Sequence, residues 1–297
     1  MSLTQQIYGS IPALATAMDA NNAIDEKRFQ HFVEWHIAQG SNALAPVGTT
    51  GESPTLTHAE HGRMIRLCVE ATDGRVPVIA GTGSNNTVEA ISLSQDARQA
   101  GADALLVVAP YYNNPSQRGL YLHFSAIARA VELPMIMYNI PGRSVVDLSV
   151  ETMAQLHREF PHIIGVKDAT GQLERPLETR LALGPDFIQL SGNDSTAVAH
   201  LAQGGSGCIS VLANLAPALS ASLHAAWRAG DMQEVVRLRD QLAPLHEAMT
   251  CEPSPAPVKY GLSLLGHMEA QCRLPIAPLS KAGQAIVRNA MEQVGLI

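Results

Sequence analysis

Eight short apolar runs recur along the first 211 residues: GSIPALATAM (9–18), SNALAPVG (41–48), VPVIAGTG (76–83), ADALLVVAP (102–110), PMIMYNIP (134–141), IIGVKDA (163–169), FIQLSGND (187–194) and GSGCISV (205–211). Each is nearly continuous in its apolar character, the pattern of parallel strands buried on both faces rather than strands with one wet face. Segments of helical period lie between them, such as DEKRFQHFVEWHIAQG and NTVEAISLSQDARQAG. The second opens on a good cap residue and closes on glycine. Strand and helix alternating eight times predict a (β/α)₈ TIM barrel; a doubly wound open sheet would usually need fewer strands. From about residue 212 the pattern changes: ANLAPALSASLHAAWRAG, DMQEVVRLRDQLAPLHEAMT and APVKYGLSLLG carry helical periodicity, and no further strand run follows. The expected organisation is a catalytic barrel over residues 1–225 and a C-terminal helical domain over 226–297. The proline-dense CEPSPAPVK marks a kinked connection inside the latter.

Composition narrows the partners. The 297 residues are 46% hydrophobic and 16% charged, enough for a sizeable core and too little charge for disorder. A net charge of −7 with basic residues scattered singly argues against nucleic acid. The longest apolar stretches fall far short of the roughly 20 residues that span a bilayer, so no membrane is expected. The N-terminal MSLTQQIYGSIPALATAM lacks a basic region followed by an apolar one, so no export signal is expected. Cys68, Cys208, Cys251 and Cys272 form no CxxC pair and read as reduced thiols. Together these point to a cytoplasmic protein.

In such barrels the C-terminal strand ends face the active site. The polar residues there are Thr16, the turn 48–52, Tyr111, Tyr112, Tyr138, Asn139, Lys167, Asp168, Asn193 and Asp194, and they are expected to converge on one mouth. Lys167 stands out in HIIGVKDATG, because the chain holds only four lysines against sixteen arginines. Partial desolvation disfavours an ammonium ion, and a neutral amine is a nucleophile toward ketones and aldehydes. The plain alternative is that Lys167 pairs with Asp168 or reaches to water, although adjacent strand residues point to opposite faces. GTTGE (48–52) follows a strand and offers hydroxyls and backbone N–H groups to a small carboxylate; taken alone it reads first as an ordinary βα turn ending in a cap. Tyr111, Tyr112 and Tyr138, three of the six tyrosines, either relay protons or pack at the rim. Arg143 either docks a second carboxylate or is a solvated loop residue. Two weaker signals remain. GTGSNN (81–86) has Asn86 in place of the last glycine of a dinucleotide fingerprint. HAEH (58–61) lacks a clear third metal ligand, so its histidines read as surface or interface residues.

Taken together, GTTGE, PYYN (110–113), YNIPGR (138–143) and GVKDATG (165–171) resemble the dihydrodipicolinate synthases, members of the pyruvate-dependent Schiff-base lyase and aldolase superfamily. The resemblance covers essentially the whole chain, including SGND, GCISV and EPSPAPVK. It implies a lyase that condenses pyruvate with L-aspartate-4-semialdehyde to 4-hydroxy-tetrahydrodipicolinate, in lysine and diaminopimelate biosynthesis. Lys167 would form the imine with pyruvate, and Thr49 and Thr50 would hold its carboxylate. Thr50, Tyr138 and Tyr112 would relay protons, with Tyr112 reaching in from a neighbouring subunit. Arg143 would receive the semialdehyde carboxylate, and Gly192 and Ile209 would line the pyruvate pocket. The lysine supplies the electron sink, so neither cofactor nor metal is implied.

Arg143 after YNIP separates this reading from the N-acetylneuraminate or keto-deoxy-sugar lyases, which usually carry GSTGE and lack that arginine; these rank second. A lysine-bound pyridoxal phosphate enzyme would need a phosphate cup that the sequence does not present. A barrel that binds ketoacids without turnover is the non-enzymatic alternative. The resemblance also implies a homotetramer built as a dimer of dimers and allosteric inhibition by L-lysine at the tight dimer interface. The matching effector positions are Ser53, Pro54, Leu56, His58, His61, Asn85, Glu89 and Tyr111. The chain departs from the family pattern at Ala17, Pro54, Asn193, Ser254 and Ala256; of Ala17, Asn193, Ser254 and Ala256, only Asn193 is expected to lie near the mouth.

Overall fold

Seven of the eight apolar runs form parallel strands in the structure, a computed structural model that describes residues 3–297. They are β1 (Gly9–Pro12), β2 (Ile79–Gly81), β3 (Ala104–Val108), β4 (Met135–Asn139), β5 (Ile163–Asp168), β6 (Ile188–Ser191) and β7 (Gly207–Ser210). Their order around the sheet is β1-β7-β6-β5-β4-β3-β2. The run predicted at 41–48 is reduced to two parallel bridges, Ala13↔Ala45 and Leu44↔Val78. Its backbone still bonds on both sides, Ala45 N donating to Pro12 O and Ile79 N to Leu44 O. This segment joins β1 to β2 and closes the ring. Pro46 has no N–H for the ladder, which shortens the regular pairing.

Closure divides the apolar residues into two layers by strand alternation. Ile11, Ala45, Ile79, Leu106, Ile136, Leu190 and Ile209 fill the inside of the barrel. Leu14, Leu44, Leu105, Val107, Met135, Met137 and Val166 face outward onto the helices. The helices begin where the sequence supplies caps: Asp25 accepts from Arg28 N, Asn86 from Val88 N and Ser116 from Gly119 N. Beyond β7 the chain is helical over Pro217–Ala229, Met232–Ala248, Ala256–Leu264 and Lys281–Val294. The connection 249–255 between the second and third of these lies over the barrel mouth. Among the described residues no helix is long and apolar enough to cross a membrane.

Candidate active site

The register of neighbouring strands sets the centre of the mouth. Tyr138 on β4 is paired with Lys167 on β5, and one step on, Asn139 is paired with Asp168. Alternation then sends the two pairs to opposite faces. Tyr138 and Lys167 point into the barrel, where the Lys167 ammonium lies 4.1 Å from the centre of the Tyr138 ring. Asn139 and Asp168 point out toward the helix layer. Asn139 bonds Asp147 and the Leu148 N–H. Asp168 accepts from Arg175 Nε at 2.7 Å and from the Thr170 N–H and hydroxyl. The carboxylate adjacent to Lys167 in sequence is therefore committed elsewhere. Lys167 is only 7% exposed.

Above this pair opens a cavity of about 550 Å³. The barrel rim contributes Gly48, Thr49, Thr50, Tyr138, Arg143, Lys167, Gly192 and Ile209 to its lining, so every position expected to contact substrate within one subunit is brought together. The backbone N–H groups of Thr49 and Thr50, both in the cavity lining, donate to no other described residue, which leaves two successive donors for an anion. Arg143 sits in the short helix Pro141–Ser144, which turns back immediately after β4. Asp194 also lines the cavity, its carboxylate fixed by the Val211 and Leu212 N–H groups at 3.0 and 3.1 Å.

Not every polar strand end reaches this mouth. Thr16 is buried and donates to Gly51 O, bracing the turn from behind. Tyr112 is 88% exposed with φ +73° and points away from its own cavity. Tyr111 lines a second cavity of about 360 Å³, together with Ser53, Pro54, Leu56, His58, His61 and Glu89. Asn85 is not part of that lining; its carbonyl accepts from Asn113. Thr49, Ile140 and Arg143 belong to both cavities and form the wall between them. Glu89 accepts from Ser84 Oγ and pairs with His58 Nε2 at 2.8 Å. These two bonds hold its carboxyl below the usual range. The reading of HAEH as surface or interface histidines fails for His61 within a single subunit. It is 4% exposed, with Nδ1 unpartnered, and burial lowers its pKa. His58, at the first position of the helix His58–Thr72, stays exposed, while His61 lies on the same side one turn further in.

Sequence reasoning missed the far wall. His246, Met249, Thr250, Cys251, Glu252 and Ser254 close the cavity from the C-terminal helices. Burial lowers the pKa of His246, with the Asp194 carboxylate acting in the opposite direction. The sequence also concealed a buried ion pair between Lys259 and Glu52 at 2.7 Å. A signal for it was present: Lys259 is the single charge in the apolar helix APVKYGLSL.

The chain matches the profile of the Dihydrodipicolinate synthetase family over residues 6–294. It is 60% identical over 289 residues to the 4-hydroxy-tetrahydrodipicolinate synthase of Rhodospirillum centenum, covering 97% of this chain and 99% of that protein. The crystal structure of a chloride-inhibited dihydrodipicolinate synthase from Acinetobacter baumannii, complexed with pyruvate, matches with a TM-score of 0.95 at 45% identity, over 98% of this chain and 100% of that one. The dihydrodipicolinate synthase of Cyanidioschyzon merolae with lysine bound matches with a TM-score of 0.95 at 35% identity, over 98% and 99% of the two chains.

Proposed function

This chain belongs to the dihydrodipicolinate synthetase family, and from that premise we propose that it is a lyase condensing pyruvate with L-aspartate-4-semialdehyde to 4-hydroxy-tetrahydrodipicolinate. The observation that carries the reading is the placement of Lys167. Its amine is nearly dry, lies against Tyr138, and shares one cavity with the unused backbone N–H groups of Thr49 and Thr50 and with Arg143. The N–H groups of the 49–51 turn hold the pyruvate carboxylate and aim its ketone at the amine. Attack gives a carbinolamine, which loses water to leave a protonated imine. Tyr138 and Thr50 move the protons, with Tyr112 of a neighbouring subunit completing the relay. The imine withdraws electrons, so the pyruvate methyl gives up a proton and becomes an enamine. Its carbon attacks the aldehyde, whose oxygen takes a proton, while Arg143 holds the semialdehyde carboxylate. The substrate's own amine then attacks the imine carbon, closes the ring and expels Lys167.

Arg143 in the cavity lining supports this reaction over sugar-acid cleavage. The second cavity is the proposed L-lysine site: Glu89 is anionic and suited to an α-ammonium group, with His58 and His61 toward the side chain. Exposure of Tyr112 supports a tight dimer, and the stripe Leu173, Leu177 and Leu181, 41%, 46% and 79% exposed, supports pairing of dimers into a tetramer. The proposal keeps a catalytic unit over 1–225 and a helical unit over 226–297, and sets the enzyme in the cytoplasm on the route to lysine and diaminopimelate.

The test is borohydride reduction with and without pyruvate, followed by peptide mass mapping. The expected result is a pyruvate-dependent adduct on Lys167. A folded sample with no adduct would sink the covalent mechanism and favour ketoacid binding without turnover.

A further inference from the structure

The turn proposed to hold pyruvate is bracketed by two residues in a conformation that favours glycine. Val47 has φ +50° and Glu52 has φ +60°. Such positions persist only where the surroundings fix them. For Glu52 the fixing contact comes from the other end of the chain. Its Oε1 accepts from Lys259 Nζ at 2.7 Å, and its Oε2 from the Arg273 N–H at 2.8 Å. The Lys259 and Glu52 side chains are 0% and 2% exposed. The Arg273 guanidinium extends the same latch to the Asn22 and Thr55 carbonyls and to Glu60.

We propose that Lys259, through its ion pair with Glu52, is a positioning residue for pyruvate: it sets the backbone of the 49–51 turn so that the N–H groups converge on the carboxylate. The inference rests on the reading of that turn as the pyruvate site. An unbridged Glu52 carboxylate would seek water or another donor, and the turn that carries it would rotate. The Thr49 and Thr50 donors would then lose their common target, although neither is altered chemically. Lys259 lies in the helix Ala256–Leu264, so the helical region acts on the site through the turn as well as through the cavity wall. The semialdehyde is held from a different element, the Arg143 helix, and should not sense the change.

Three variants test this: Lys259→Met, the isosteric Glu52→Gln, whose amide oxygen can still accept from the lysine, and the double variant. Each is assayed below its unfolding temperature for turnover and for borohydride trapping as a function of pyruvate. The expected result is a rise of about ten-fold in half-saturating pyruvate in Lys259→Met and the double variant, and a smaller rise in Glu52→Gln. The semialdehyde KM should stay within about two-fold, and saturating pyruvate should still label Lys167 fully. A purely structural role would lower thermal stability without separating the two KM values. Half-saturating pyruvate within about two-fold of the parent in Glu52→Gln and the double variant overturns the proposal. Absence of an adduct in the unaltered protein is a distinct failure, because it removes the pyruvate reading itself and this inference with it.

Discussion

Arg175→Met should destabilise the protein far more than the loss of an ordinary surface arginine. Arg175 Nε donates to Asp168 Oδ2 at 2.7 Å, and both side chains are 7% exposed, so solvent screens the pair little. The same guanidinium bonds the Leu148 carbonyl and lies 3.5 Å from Asp147. Truncation leaves the Asp168 carboxylate buried with only the Thr170 N–H and hydroxyl. Removing one partner of a buried pair costs about 3–5 kcal/mol. At ~2–4 °C per kcal/mol for a chain of this size class, the midpoint should fall on the order of 10 °C. Asp168→Asn should cost less, because the guanidinium keeps the Leu148 carbonyl and the Asp147 carboxylate 3.5 Å away. The double variant should recover part of the loss, since neither charge is then left alone. Far-UV circular dichroism melts of the four proteins at one concentration measure this cycle. A single variant that melts within about 2 °C of the parent, or strict additivity in the cycle, would refute the argument that the pair is desolvated. Lys167 should remain trappable by pyruvate in each variant below its transition, because Asp168 faces away from the cavity.

Tyr112→Phe should lower kcat by about ten-fold or more while sedimentation shows the dimer intact, and unchanged turnover would discard the borrowed tyrosine. Glu89→Gln should raise the half-inhibitory L-lysine concentration by about ten-fold with little change in uninhibited rate; equal inhibition of both proteins would move the effector elsewhere. Glu60 predicts a pH dependence. Its hydrogen bond with Arg273 lowers the carboxyl from 4.5 to about 2. A lowered folded pKa stabilises fully above the unfolded value and is lost as pH falls through the folded one. The stability difference between the parent and Glu60→Gln should therefore be constant above about pH 4.5 and shrink toward pH 2 in melts across that range.

The barrel was legible because burial on both faces forces an apolar run at every strand, and those runs predicted all seven regular strands. The 41–48 run was over-read as a strand equal to the others, since Pro46 interrupts a ladder that the apolar pattern alone cannot see. Lys167, Tyr138 and Thr50 were legible for a related reason. A polar residue ending an apolar strand has few structural explanations, and parallel register then makes neighbours of Tyr138 and Lys167. The same alternation removed Asn139 and Asp168 from the mouth, and strand ends read only as a set do not make that distinction.

What the sequence hid were contacts between distant segments. Glu52 and Lys259 stand 207 positions apart, and neither lies where local periodicity assigns a meaning. A glutamate closing GTTGE reads as a cap, and the single charge in the apolar helix APVKYGLSL signals a buried lysine without naming its partner. Burial changes both readings, because a side chain at 0% exposure cannot rest on solvation. Its charge must be met, and the partner it meets is Glu52, the residue that ends the 48–52 turn. His246, and Met249 and Cys251 just past the end of its helix, follow the same logic from the wall side, since the helix is assigned by period but its docking onto the barrel is not. The helical region is thus part of the site in two senses, enclosing the cavity and pairing its Lys259 with the glutamate that ends the 48–52 turn. A barrel expressed without it would keep Lys167 and Tyr138 in register on β4 and β5, yet would leave Glu52 without its ammonium partner and the cavity open on one side.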